Sequence, residues 1–335
     1  MRINQDMLIK IARDHVAKRE RKEKDLVAVY LTGSVSEGDP LLGGSTDIDL
    51  VFVHKEYPPV PREVLRVTYE ISLDIEHHHQ SNYTYHRRLR QNPWIGYSLC
   101  KHQNILLDKD HWLEFIQASV SSRYNSPENI YARSRQFSDN ARKQWFDLDD
   151  PQEVDWEDWI SLYIKTVGTA ANTIACLNGP ALTTRRFMTE FTSRVESLNR
   201  LPLTGELTRL LGNQNFGEES FKQWRPVWED CIETANKKAN CSPNISKVRK
   251  AYFLQSVDAL AEQGAYHAVL WPMFETWHQA VACLDEEKKY YQNWADFLQT
   301  LGFEEEKKEN LLKDLDHFID QGERLLEDYK NTYNL

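Results

Sequence analysis

The sequence predicts an α+β protein, with a small mixed β-sheet domain flanked by helices over residues 1–120 and an all-α domain over residues 121–335. Two observations support this prediction. The first part has short β-branched and apolar runs between Gly and Pro breaks, which is typical of strands and turns. The second part has long stretches in which apolar residues recur three and four positions apart, which is typical of helices. The length of 335 residues suits two domains of about 150 residues each.

Residues 1–120 read as a helix, then strands, then a helix. The first and last elements are helices, predicted over residues 5–24 and 111–121. Four strands are predicted between them, each from a short apolar or alternating run, over residues 26–31, 47–54, 69–77 and 105–108. The prolines within residues 58–61 predict a turn and the start of a helix before the third of these strands.

Residues 121–335 predict a succession of helices. Eight segments have helical spacing, namely 127–147, 156–178, 184–198, 219–238, 244–262, 264–283, 288–300 and 305–330. Eight of the ten tryptophans lie in this part. Because tryptophan is bulky and buries a large area, we assign most of them to the core or to an interface rather than to ligand stacking.

The charge is unevenly distributed along the chain. The whole chain has a formal net charge of −10, and this excess of acid disfavours a general nucleic-acid-binding protein or a polybasic membrane-surface protein. Residues 1–120 contain 16 Lys/Arg and 17 Asp/Glu, whereas residues 121–335 contain 25 and 34. The first part is therefore almost neutral, and nearly all of the excess negative charge belongs to the helical part.

The sequence favours a cytoplasmic protein. No stretch approaches the roughly 20 apolar residues that span a bilayer, and residues 1–6 lack the apolar core of a signal peptide. The five cysteines are scattered and include no Cys-x-x-Cys pair. Reduced thiols are the simplest interpretation of that pattern.

One cluster of residues indicates chemistry. Gly33 and Ser34 follow the first predicted strand, and Asp47 and Asp49 begin the second, so that the two carboxylates project from one face. Asp74 lies in the third strand. Neighbouring carboxylates repel one another unless a cation lies between them, and Mg²⁺ prefers oxygen ligands that it shares with phosphates.

The turn before these acids is suited to phosphate. Glycine lets a phosphate approach the main chain closely, and the Ser34 hydroxyl adds a donor. A phosphate-binding turn, two metal-binding carboxylates and a third acid on the next strand together predict phosphoryl or nucleotidyl transfer. In such a reaction two metal ions would stabilise the attacking and the leaving oxygen.

These motifs resemble those of the polymerase-beta-type nucleotidyltransferase superfamily, closely over residues 20–80. The resemblance implies transfer of a nucleoside monophosphate from an NTP to an acceptor, with release of pyrophosphate. It implies that Asp47 and Asp49 hold Mg²⁺, as two ions, with NTP as co-substrate. Asp74 would be a ligand of the second ion, a general base, or both.

The same resemblance implies which residues bind the nucleotide. Gly33 and Ser34 would hold the β- and γ-phosphates, and Ser45 and Thr46 are assigned to nucleotide binding beside them. Among the superfamily, the layout is most similar to bacterial aminoglycoside and lincosamide nucleotidyltransferases, which implies a small-molecule acceptor and a role in antibiotic resistance. One departure is the loop over residues 36–44, which is longer and more acidic than the family pattern.

Other interpretations of the same site remain open. The acceptor could be a protein, as in toxin–antitoxin nucleotidyltransferases, or the site could be an inactive nucleotide-binding module; RNA extension is disfavoured by the acidic helical part. Glu76 and His78 are weaker candidates for the site. Several cations are candidates for the triphosphate, with salt bridges as the simpler interpretation of each: Arg87, Arg88, Arg90, Lys101, Lys165, Arg185 and Arg186.

Overall fold

A computed structural model describes residues 3–101, 104–150, 155–212, 216–238, 241–284 and 287–335. It confirms the α+β class, with a five-stranded mixed sheet and a helical part. Packing divides the chain into two compact units. Unit 1 contains the residues up to Ser126 together with Ser242–Ala259, and unit 2 contains Pro127–Cys241 and Leu260–Leu335. Residues 242–259, which the sequence analysis placed in the helical part, therefore pack with the sheet.

The sheet of unit 1 has the order β3-β4-β2-β1-β5. Its strands are β1 (Leu26–Thr32), β2 (Thr46–His54), β3 (Arg62–Arg66), β4 (Ile71–His79) and β5 (Ile105–Asp108). β2 and β4 are parallel neighbours, whereas the other three pairings are antiparallel. The predicted strands at 26–31, 47–54, 69–77 and 105–108 are confirmed, with shifts of at most two residues at their ends.

The helix start predicted at residues 58–61 is wrong. The chain instead forms β3 directly after Pro61, and Val64 pairs with Asp74 of β4. The Pro61 carbonyl already accepts a hydrogen bond from the His77 N–H, 2.9 Å away. The proline-rich stretch is thus the turn that leads into an edge strand. Pairing with β4 supplies the main-chain hydrogen bonds that a helix would have made within itself.

Helices cover both faces of the sheet. On one face, α1 (Gln5–Glu20) packs its buried Leu8, Ala12 and Val16 against apolar side chains of β1, β2 and β4. Short helices follow on the chain as α2 (Gly33–Glu37), α3 (His86–Arg90) and α4 (Ile95–Ser98), and α5 (Trp112–Tyr124) comes after β5. The opposite face is covered by residues of α3, α4 and α5. Each large aliphatic side chain buried in these layers contributes about 1.5–3 kcal/mol.

Alternation along β2 and β4 assigns each side chain to a face. Ile48, Leu50 and Phe52 lie with Leu73 and Ile75 in the core under α1, as the sequence predicts. The intervening residues, which include the acids at the start of each strand, therefore point to the other face.

Unit 2 is helical throughout its described residues. Its helices are α6 (Pro127–Asp149), α7 (Trp156–Ala175), α8 (Phe187–Ser197), α9 (Pro202–Leu210), α10 (Glu218–Ala235), α12 (Tyr266–Ala282), α13 (Lys288–Thr300) and α14 (Lys308–Tyr333). α6, α7 and α14 pack together, and α10 packs on α12. Six of the eight tryptophans of the second part are buried core residues, as the sequence analysis assigns them: Trp159, Trp224, Trp228, Trp271, Trp277 and Trp294.

Two helical segments differ from the prediction. α9 is a nine-residue helix that the sequence analysis did not identify. α11 (Lys250–Glu262) begins six residues later than predicted, because Ser242 caps a 3₁₀ turn over Pro243–Ile245 that precedes it. Of the helices in the described part of the chain, none is both long and apolar enough to cross a membrane.

Candidate metal centre

The three predicted acids meet at one end of the sheet. The parallel register of β2 and β4 places Asp49 directly beside Asp74, and Asp47 lies two residues earlier on the same face. One carboxylate oxygen from each acid lies within 4.8 Å of the others. Asp47 is 2% exposed and Asp74 is 5% exposed. Such convergence of buried carboxylates is costly unless cations compensate it.

Two arginines supply that compensation, and the sequence analysis identified neither of them. Arg62 of β3 binds Asp74 in a bidentate manner, with Nε 2.7 Å from Oδ1 and Nη2 2.5 Å from Oδ2. Its Nη1 also donates to the Asn244 side chain at 3.0 Å. The sequence analysis had no signal for this contact, because Arg62 comes to lie diagonally beside Asp74 only through the pairing of β3 with β4, and β3 was not predicted.

Arg249 is the second cation and lies just before α11. Its Nη2 donates to Asp47 Oδ2 at 2.7 Å, and its Nη1 donates to Asp74 Oδ2 at 2.5 Å. The residue is only 6% exposed. Along the sequence, Arg249 is 202 residues from Asp47 and 175 residues from Asp74. No local pattern in the sequence could have indicated this contact.

Both arginines are firmly protonated. The hydrogen bond to Asp74 raises the pKa of Arg62 above its ordinary value. Burial alone would lower the pKa of Arg249, but the charges of Asp47 and Asp74 outweigh burial and raise it. We call the group formed by Asp47, Asp49, Asp74, Arg62 and Arg249 the carboxylate cluster.

The predicted phosphate turn lies against this cluster. Gly33 has φ +64°, a conformation that favours glycine. A Cβ atom added there would also lie 1.8 Å from Asp49 Oδ2, so a larger residue does not fit. The Ser34 Oγ atom is buried and has no hydrogen-bond partner within the described part of the chain. A buried hydroxyl without a partner is uncommon and is the kind of donor that a bound anion would satisfy.

Ser45 and Thr46, the other two predicted nucleotide-binding residues, are fully buried. The Ser45 hydroxyl lies 3.3 Å from the Leu42 carbonyl and 3.4 Å from that of Ala251. The Thr46 hydroxyl donates to the Asp47 carbonyl at 2.9 Å. In this structure their side chains contact the main chain and support the start of β2.

The weaker candidates have other partners in the structure. Glu76 is exposed and its carboxylate lies 3.2 Å from His78 Nε2, a hydrogen bond that lowers the pKa of Glu76. His78 Nδ1 lies 2.7 Å from the Tyr83 hydroxyl. Among the candidate cations of unit 1, Lys101 binds Glu37 at 3.0 Å and Arg90 donates to the Ser119 carbonyl. The other candidates in that unit, Arg87 and Arg88, belong to α3.

The donor set fits a hard divalent cation. Three carboxylates converge, and oxygen is the ligand atom that Mg²⁺ prefers. Asp47, Asp49 and Asp74 could therefore hold a metal ion. In comparisons with known proteins, no protein-family model and no curated protein matches this chain.

Proposed function

We propose that the chain is an Mg²⁺-dependent nucleotidyltransferase that moves a nucleoside monophosphate from an NTP to a hydroxyl of a small acceptor, releasing pyrophosphate. The observation that carries the proposal is the convergence of Asp47, Asp49 and Asp74 within 4.8 Å of one another, on the strand faces predicted from sequence. The required glycine and the buried hydroxyl of Ser34 beside them support it.

The residues would divide the work as follows. Asp47, Asp49 and Asp74 would hold Mg²⁺, which when bound polarises phosphoryl oxygens and neutralises developing charge. Asp74 accepts three arginine N–H bonds, one on Oδ1 and two on Oδ2. The bidentate pair with Arg62 uses one lone pair on each oxygen, which leaves a lone pair on each for a metal ion.

The acceptor class follows from charge. Residues 121–335 carry 25 Lys/Arg and 34 Asp/Glu, so a cationic acceptor is favoured over a polyanionic one. We therefore expect a hydroxylated amine, similar to an aminoglycoside, rather than an RNA end.

The direct test is a transfer assay with the full chain. The chain is incubated with Mg²⁺, each of the four NTPs and a panel of aminoglycosides, lincosamides and hydroxylated compounds without amines. Pyrophosphate release and the mass of the acceptor are measured together. We expect one NTP to give pyrophosphate and an acceptor heavier by one nucleoside monophosphate, and we expect EDTA to stop both.

Asp47→Asn tests the metal assignment. We expect it to reduce transfer at least about a hundredfold, because loss of an outer partner of a metal ligand alone costs about 10–100-fold. Glu56→Gln is the matched control, since it removes one exposed carboxylate just after the same strand. Transfer that survives Asp47→Asn would refute the assignment. NTP binding without pyrophosphate release would favour the inactive module, and nucleotide-labelled protein would favour a protein acceptor.

A further inference from the structure

Arg249 binds two of the three acids that could hold a metal ion. Its two terminal nitrogens bridge Asp47 Oδ2 and Asp74 Oδ2, and both of these carboxylates belong to the converging group. Arg62, in contrast, approaches from β3 and binds both oxygens of a single acid, Asp74. Of the two arginines, Arg249 is therefore the one that competes with a metal ion.

Besides Asp47 and Asp74, the Arg249 guanidinium contacts two aromatic rings, which hold it less firmly than the carboxylates do. Its guanidinium carbon lies 4.7 Å from the ring centre of Tyr252 and 5.4 Å from that of Phe253. Its Nε atom is buried and makes no hydrogen bond to the described residues. Aromatic faces accept a guanidinium in more than one position, whereas the carboxylates fix it in this one.

A metal ion and Arg249 cannot both use these oxygens without strong repulsion, because two cations would share one buried site. We therefore expect metal binding to detach Arg249. A buried guanidinium that loses its carboxylates needs another anion, since an unpaired buried charge is costly. A metal-bound nucleotide brings phosphate oxygens to this point, and the planar fork of arginine suits phosphate.

We propose that Arg249 alternates between two anions: it binds Asp47 and Asp74 in the empty site, and it binds the phosphates of the nucleotide once metal takes those carboxylates. The inference rests on the proposed function and adds to it the residue that recognises the triphosphate. It also makes metal and nucleotide binding cooperative. The metal ion releases Arg249 from the carboxylates, and the nucleotide supplies the anion that the released guanidinium needs.

The test compares two affinities in wild type, Arg249→Met and a control. Mn²⁺ binding to the nucleotide-free chain is measured by electron paramagnetic resonance. Binding of the α,β-methylene analogues of ATP, GTP, CTP and UTP is measured by calorimetry at saturating Mg²⁺. We expect Arg249→Met to bind Mn²⁺ about tenfold more tightly, since a competing cation is gone, and the triphosphate analogue about tenfold more weakly. Arg66→Met is the control, because Arg66 donates to the Lys247 carbonyl and is exposed; it should change neither affinity.

A purely structural role for Arg249 would lower both affinities together, and this result would overturn the inference. So would an unchanged affinity for the analogue. If Arg249→Met does not fold, Arg249→Lys is used instead, because lysine keeps the charge but lacks the paired N–H donors of the planar guanidinium. We expect this variant to bind Mn²⁺ with near wild-type affinity and the analogue more weakly. Equal analogue binding by Arg249→Lys and wild type would then refute the inference. A wild-type chain that binds Mn²⁺ but no analogue refutes the proposed function as well, so the two failures are distinguishable.

Discussion

Two clusters of charged and titratable side chains lie at opposite ends of the same pair of parallel strands. The carboxylate cluster occupies the start of β2 and β4 on one face. A second group, which we call the histidine cluster, lies at the other end and on the α1 side: Arg19, Asp25, His54, Glu63 and His77. Arginine is the cation of the first cluster and histidine contributes to the second. Histidine is the side chain that ordinarily changes its charge near neutral pH, so the second cluster is the one whose charge is expected to depend on pH in that range.

The histidine cluster is a continuous chain of contacts. His54 Nδ1 lies 3.1 Å from Asp25, His54 Nε2 lies 2.9 Å from His77 Nδ1, and His77 Nε2 lies 2.9 Å from Glu63. Arg19 then donates to Glu63 at 2.6 Å. A group of paired charges at the end of two strands does not by itself indicate a metal site. What distinguishes the carboxylate cluster is convergence of three acids on one point, next to a glycine that they require and a hydroxyl without a partner.

The largest effect is expected from Asp74→Asn, because it removes the charge that two arginines share. Arg62 and Arg249 would remain close together without that carboxylate, and we expect the free energy of unfolding to fall by roughly 3–5 kcal/mol, as when a buried ion pair loses one partner. Urea unfolding in the absence of metal measures the loss.

Glu76→Gln is the matched control for this experiment. Glu76 lies on the same strand two residues further on, but its side chain is 55% exposed. We expect a change within about 0.5 kcal/mol. Equal losses for the two variants would mean that the carboxylate cluster is no better coupled to folding than a surface acid.

The sequence predicted the acids of this cluster and the strands that carry them because both depend on local periodicity. Alternation along residues 47–54 and 69–77 was enough to place Asp47, Asp49 and Asp74 on one face. β3 was missed because its five residues lack clear alternation and owe their extended form to pairing with β4.

Arg249 was missed for a different reason. Its contacts with Asp47 and Asp74 depend on a chain segment that returns to the sheet after more than a hundred intervening residues. One sequence contains the acids that need cations, but it does not indicate which of its 41 basic residues supply them. The counter-cations of a buried cluster are therefore the part of a site that most requires a structure.

A smaller effect, confined to the carboxylate cluster, is expected from Gly33→Ala. The added Cβ would lie 1.8 Å from Asp49 Oδ2, so the carboxylate must move away from Asp47 and Asp74. The positive φ adds about 1–2 kcal/mol of strain. We expect weaker Mn²⁺ binding in calorimetry and a modest loss of stability.

Gly38→Ala separates these two contributions. Gly38 also has a positive φ, at +88°, but a Cβ added there meets nothing within 4 Å. It should lower stability by a similar strain and leave Mn²⁺ affinity unchanged. If both alanine variants bind Mn²⁺ like the wild type, Asp49 is not a metal ligand.

The smallest effect is expected from the histidine cluster and concerns pH. Burial lowers the pKa of His77 below 6.5, although its hydrogen bond to Glu63 opposes the shift. As pH falls below 6.5 the unfolded chain takes up this proton before the folded chain does, so the free energy of unfolding falls. Burial would raise the pKa of Glu63, but Arg19 and His77 lower it, so the same loss continues below pH 4.5.

His77→Gln should therefore flatten the decline of stability between pH 6.5 and 5, measured by urea unfolding at a series of pH values. His111→Gln is the control with the opposite sign, because Glu114 raises the pKa of this exposed histidine and stabilises the chain at low pH. It should leave the decline unchanged or make it slightly steeper. A His77→Gln curve parallel to that of the wild type would show that protons do not control this end of the strands, and the contrast between the two clusters would then rest on the metal alone.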